Sequence, residues 1–115
     1  MNLKNTLVSN GFSDGPAATL AKFVEGQRNV FLFPRSVALR LSLPLEETAQ
    51  MLTLLAAKGL LIHFVVPKYK GQALTSFANQ GFELTTDQIQ DPTDFMPVDP
   101  NDVERISAFK LRPNE

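Results

Sequence analysis

The stretch LSLPLEETAQMLTLLAAKGLL, Leu41 to Leu61, constrains the fold more than any other part of the chain. A helix starting at Pro44 or Leu45 advances by about 100° per residue. That rotation gathers Leu45, Ala49, Leu52, Leu55, Ala56 and Gly59 into one broad arc. An apolar arc of this width has to be covered by other elements, so the helix belongs inside a packed domain. Gly59 fits poorly in a helix interior and well as a left-handed terminator. Leu54 lies almost opposite the centre of the arc and Met51 on its flank. They either pack beneath another element or form an apolar contact with a partner protein.

The rest of the chain supplies elements to cover that arc. A short helix is expected in the first ten residues, with Leu3, Leu7 and Val8 roughly on one side, and SNG and SDGP then mark turns. Asp14 or Gly15 can cap a helix that starts at Pro16 and runs to about Glu25. Ala17, Leu20, Ala21 and Val24 form its buried face, and Gly26 ends it. Asn29 to Phe33, NVFLF, reads as a small buried strand. Pro34 opens PRSVALRL, with Ala38 and Leu41 inward and Ser36 and Arg40 outward. After Gly59 the expected order is a strand LLIHFVV, a turn PKYKG and a returning strand QALTSF. Beyond Gln80 the pattern loosens until DPNDVERISAFKL restores a helical rhythm through Val103, Ile106 and Phe109. Asp99 is its expected cap and Pro100 lies in its first turn.

At 115 residues the chain has the length of one domain with a modest core. Cysteine is absent, which excludes disulfides and thiolate metal sites. The first residues lack the apolar core of a signal peptide, and no apolar run approaches a membrane span. A soluble, intracellular protein with no membrane partner is therefore expected. The net charge of −1 conceals an uneven spread. Residues 1–80 carry eight basic and four acidic side chains, or +4, while residues 81–115 carry three and eight, or −5. A mildly basic body with an acidic arm is the expected organisation, divided near residue 80.

Helix, short strand, helix, tight turn, helix, strand, basic turn, strand is the layout of a winged helix domain. VALRLSLPLEETAQMLTLLAAKGLL resembles the second and third helices of winged helix-turn-helix transcription regulators. Ala38 is the small residue that lets two helices cross, Leu41 follows three on, and Leu43 is the apolar turn residue. Leu55, Lys58, Gly59, Leu60 and Leu61 then close the motif. The likeness covers roughly residues 16–78. It implies a mixed α/β (α+β) fold, with a helical core, a small antiparallel β-wing and an extended C-terminal arm.

The resemblance also implies double-stranded DNA binding as a small dimeric transcription regulator, with the third helix in the major groove. Carried onto this sequence, the outward residues of that helix are Glu46, Glu47, Gln50 and Thr53, and Lys68, Tyr69 and Lys70 stand at the wing tip. Gln50 can pair with adenine, and a glutamate can accept from the cytosine amino group. The glutamates equally suit a helix N-terminus without any ligand. Arg35, Arg40 and the wing lysines are candidates for phosphate contacts. The alternative is a winged helix used as a protein–protein interaction module in a larger assembly, with Met51 and Leu54 in the contact. Phe95 and Phe109 of the arm would then meet the partner or a second copy.

His63 is the only histidine, so a metal site is not expected. No serine–histidine–acid spacing stands out, and the carboxylates of the arm lack a calcium-loop pattern. Neither an enzyme nor a cofactor is expected.

Overall fold

A computed structural model describes residues 2–80, 91 and 98–112. Among the described residues the fold is mixed α/β, with four helices and one four-stranded sheet. The helices are α1 (Leu3–Ser9), α2 (Asp14–Glu25), α3 (Pro34–Leu41) and α4 (Leu45–Ala57). The strands are β1 (Leu61–Tyr69), β2 (Gln72–Ala73), β3 (Asn79–Gln80) and β4 (Val103–Leu111). None of these helices is long and apolar enough to cross a membrane. The chain divides into two compact units, one of residues 1–63 with 109–115 and the other of residues 64–108.

The first unit is built on α4, against which both α1 and α3 pack, while α2 packs on α1. Its core joins Leu3 and Leu7 of α1 to Ala17, Leu20, Ala21 and Val24 of α2, the face expected from spacing. From α4 it takes Met51, Leu52 and Leu55, and Thr48 is fully buried beside them on the same helix. Thr48, Met51, Leu52 and Leu55 follow the i, i+3, i+4, i+7 rule. This stripe is rotated from the expected arc, because Leu45 is 47% exposed and Gly59 is exposed. A threonine takes the place of an apolar residue on it. Its hydroxyl donates to the Pro44 carbonyl at 2.8 Å, so burial leaves no polar atom unmet.

Three of the helices end in the same way. Gly11, Ser42 and Gly59 adopt positive φ of 97°, 55° and 77°. The next residue in each case, Phe12, Leu43 or Leu60, donates its amide back five residues to Leu7, Ala38 or Leu55. Phe12, Leu43 and Leu60 also pack their side chains on the core, as the Schellman terminator requires. The expected terminator at Gly59 is therefore observed. A Cβ at Gly59 would meet nothing within 4 Å, so only the backbone resists substitution. Gly59→Ala is expected to cost about 1 kcal/mol from left-handed strain alone. An unchanged urea midpoint would contradict the assigned geometry.

The expected strand over Asn29–Phe33 reduces to a single bridge. Leu32 donates to the Phe109 carbonyl at 2.6 Å and accepts from the Phe109 amide at 2.9 Å. Only Leu32 of this segment is buried, and Asn29 at φ 59° turns the chain just before it.

The second unit contains the hairpin. β1 runs on through Lys68 and Tyr69, which the sequence placed in the turn. The turn itself is Lys70–Gly71, with φ of 51° and 79°. Two consecutive positive φ values are those of a type I′ turn, whose twist matches the flanking strands. The returning strand is only Gln72–Ala73, not the whole of QALTSF, and Pro67 gives the reason. Leu74 donates to the Pro67 carbonyl at 2.8 Å, but proline has no amide to give in return. The Leu74 carbonyl is taken instead by Phe77, at 3.0 Å, and the chain enters a 3-10 turn over Thr75–Phe77. Pairing then resumes out of step. Lys68 faces Ala73 and Val65 faces Asn79, so six residues of return match three of β1. Val65, Leu74 and Val98 form a small core here, with Tyr69, Phe77 and Val103 packed on it.

The last helical expectation is overturned. Asp99 does cap a turn, its carboxylate accepting from the Asn101 amide at 2.9 Å. That turn is a single 3-10 turn, Pro100–Asp102, followed by β4. Val103, Ile106 and Phe109 satisfy a helical period, but β4 has strand partners, pairing with β1 and meeting Leu32 through Phe109. Tertiary pairing outweighs a local rhythm in a segment rich in β-branched and aromatic residues.

Candidate nucleic-acid interface

The segment from α3 to α4 forms two packed helices joined by Ser42, Leu43 and Pro44. Pro34 fixes the start of α3, and the left-handed Ser42 turns the chain toward α4. Val37 and Ala38 are buried beneath α3, which leaves Arg35, Ser36, Leu39 and Arg40 on its outer side. Arg35 is exposed. The guanidinium of the exposed Arg40 lies 5.5 Å from the centre of the Phe23 ring, a contact that steers it without neutralising it.

On α4, Glu46, Gln50 and Thr53 are exposed and Glu47 is half-buried. The Thr53 hydroxyl donates to the Ala49 carbonyl at 2.8 Å, so toward a ligand it can act only as an acceptor. Glu46, Glu47 and Gln50 do not stand on a plain convex surface. With Gly11, Phe12, Ser13 and Pro44 they line an open groove of about 400 Å³. The structure therefore brings together four of the residues expected on this helix face, three of them along one groove.

The hairpin belongs to the second unit, and its three expected residues differ in role. Tyr69 is half-buried and packs on the Val65–Leu74–Val98 core, so its ring serves the fold. Lys68 is half-buried and Lys70 is exposed. The Lys70 ammonium lies 3.7 Å from the Asp91 carboxylate and 5.2 Å from the Tyr69 ring centre. Asp91 is itself buried, which makes it a fixed counter-charge rather than a passing surface partner.

The apolar partner candidates are corrected by their burial. Met51 is fully buried in the main core, because the buried stripe of α4 is centred nearer to it than the arc predicts. Leu54 is half-buried and packs on the same core, so it is not the outward leucine of the rival reading. Phe109 is 1% exposed, with its ring centre 5.1 Å from that of His63. Phe95 lies outside the described residues.

Three features escaped the sequence reading. Leu39 is 77% exposed, which the spacing of Val37, Ala38 and Leu41 already implies for the far side of α3. Leu45 is exposed through the rotation of α4. The pairing of Lys70 with Asp91 has no local signal, since it joins residues far apart in the chain. No family model, curated protein or solved structure matches the chain.

Proposed function

We propose that this chain is a winged helix protein that binds double-stranded DNA as a small dimeric regulator. In this reading α4 offers Gln50 and Thr53 to base edges, and Arg35 and Arg40 of α3 contact phosphates. Lys68 and Lys70 of the hairpin add further phosphate contacts. The observation that carries it is the α3–Ser42–α4 pair, which holds Gln50 and Thr53 exposed on a helix whose other side is core. Glu46 and Glu47 lower attraction for a polyanion without forbidding it, since glutamate can accept from cytosine.

Titration of mixed-sequence duplex at low and moderate salt tests the reading, with affinity expected to fall steeply as salt rises. On a duplex selected from a random pool, Gln50→Ala is expected to lose about 1–3 kcal/mol while mixed-sequence affinity is kept. An absence of duplex binding at low salt, together with no enriched sequence, would sink the proposal. Light scattering checks the dimer, which a strict monomer at high concentration contradicts.

A second reading has its own observation, the 77% exposure of Leu39 on the outer side of α3. A protein–protein module would use that leucine as an anchor. It predicts no duplex affinity, and an association that Leu39→Ser weakens.

A further inference from the structure

Asn10 is the only asparagine in the chain that precedes a glycine. In such a pair no side chain shields the glycine nitrogen, which can attack the asparagine carboxamide. Asn10 and Gly11 are both exposed, and a Cβ at Gly11 would meet nothing within 4 Å, so water and base reach the pair. The pair also ends α1, with Asn10 at its C-cap and Gly11 in the left-handed turn that follows.

The folded turn occupies each group that the reaction would use. The Gly11 amide donates to the Val8 carbonyl at 3.1 Å, and Nδ2 of Asn10 donates to the Thr6 carbonyl at 2.7 Å. A ψ of 18° at Asn10 sets the Gly11 nitrogen close to the Asn10 nitrogen and turns it away from Cβ. Attack needs the opposite arrangement, with that nitrogen on the Cβ side. Phe12 holds the turn from beyond it. Its amide donates to the Leu7 carbonyl at 3.2 Å, and its side chain packs on the main core. Exposure favours the reaction and the backbone opposes it.

We propose that Asn10–Gly11 is a site of spontaneous deamidation and isoaspartate formation, held shut by the folded end of α1 and opened when that turn unwinds. Base takes the Gly11 amide proton, and the nitrogen bonds to Cγ of Asn10. The side-chain amide leaves as ammonia, which closes a succinimide ring. Water then opens the ring at either carbonyl, to give aspartate or isoaspartate with a new negative charge. Isoaspartate carries the main chain through Cβ, and the added atom spoils the spacing on which the Phe12–Leu7 hydrogen bond depends. Either product also replaces the donor to Thr6 by a carboxylate, at the helix end where the dipole disfavours negative charge. The converted turn no longer closes as before, so the change runs one way.

The test compares the full chain in mildly alkaline buffer with the same chain unfolded in guanidinium chloride. Peptide mass spectrometry reads the mass gain at Asn10, and labelling by an isoaspartyl methyltransferase reads the isoaspartate. Conversion in the native chain is expected to be slower than in the unfolded chain by at least about tenfold, because the turn is open for only a fraction of the time. Phe12→Ala, which removes the ring that holds the turn, is expected to shrink that ratio roughly fivefold, while Phe12→Leu keeps most of it. Circular dichroism confirms that each native sample is folded, and each rate is divided by that of the same variant unfolded. Equal rates in the native and unfolded wild-type chain overturn the proposal without any variant. So does an absence of isoaspartate at Asn10 in the unfolded chain. A ratio that Phe12→Ala leaves unchanged overturns the assignment of the gate to this turn.

Discussion

Phe109→Ala is expected to destabilise the protein by about 3–5 kcal/mol, the usual cost of emptying an aromatic site in a packed core. The ring is 1% exposed, lies against His63 and belongs to the cluster that also contains Leu7, Leu20 and Leu52. Little can move into the space it leaves, because the backbone at this point is tied to Leu32 by two hydrogen bonds. A domain of this size is held by about 5–15 kcal/mol in all, so one substitution near the chain's end is expected to bring unfolding close to ambient conditions. Urea denaturation would show a large fall in midpoint at an unchanged slope. A loss below about 1 kcal/mol would contradict the burial and return Phe109 to the surface role that its place in the acidic arm suggested.

The second large effect is expected from charge reversal on the hairpin. Lys68→Glu/Lys70→Glu removes two candidate phosphate contacts and puts two negative charges in their place. Duplex affinity at low salt is expected to fall by roughly tenfold to a hundredfold, and the dependence of log affinity on log salt to flatten by about 1.8. Lys70 already faces the buried carboxylate of Asp91, so its share of the loss is expected to be smaller than that of Lys68. Lys70→Gln alone therefore changes affinity less than Lys68→Gln. Lys70→Glu also sets a carboxylate against the buried Asp91, so a loss of stability is expected from that position. Circular dichroism of the double variant checks that it is folded where its affinity is read. Duplex binding by the double variant at full strength would remove the hairpin from the interface and leave the arginines of α3 to carry the electrostatic attraction.

The two expected results bear on opposite kinds of residue, and the sequence treated them unequally. Lys68 and Lys70 were recognised as a basic tip from a short motif, and both are on the hairpin, although β1 continues past Lys68 before turning. Phe109 was misplaced because its neighbours Val103 and Ile106 fit a helix as well as a strand. The deciding fact, its bridge to Leu32, lies 77 residues away in the chain. Met51 and Leu45 were exchanged for a subtler reason. An arc drawn from apolar residues alone omits Thr48, a polar residue that can be buried because it satisfies itself within its own helix. Including it moves the centre of the buried face and turns Leu45 outward.

By itself the sequence determined the helices, their order, most of their buried faces and the left-handed stop at Gly59. These depend on periodicity, capping and the conformational freedom of glycine, all of which act within a few residues. Only the tertiary structure decided that the segment after Asp102 is a strand and that Pro67 breaks the return of the hairpin. It alone set Asp91 against Lys70 and left Phe31 and Phe33 outside the core. The missing amide of Pro67 is written in the sequence, but the strand it interrupts is not. The other outcomes turn on a second backbone or an opposing charge distant in sequence, of which local pattern carries no record.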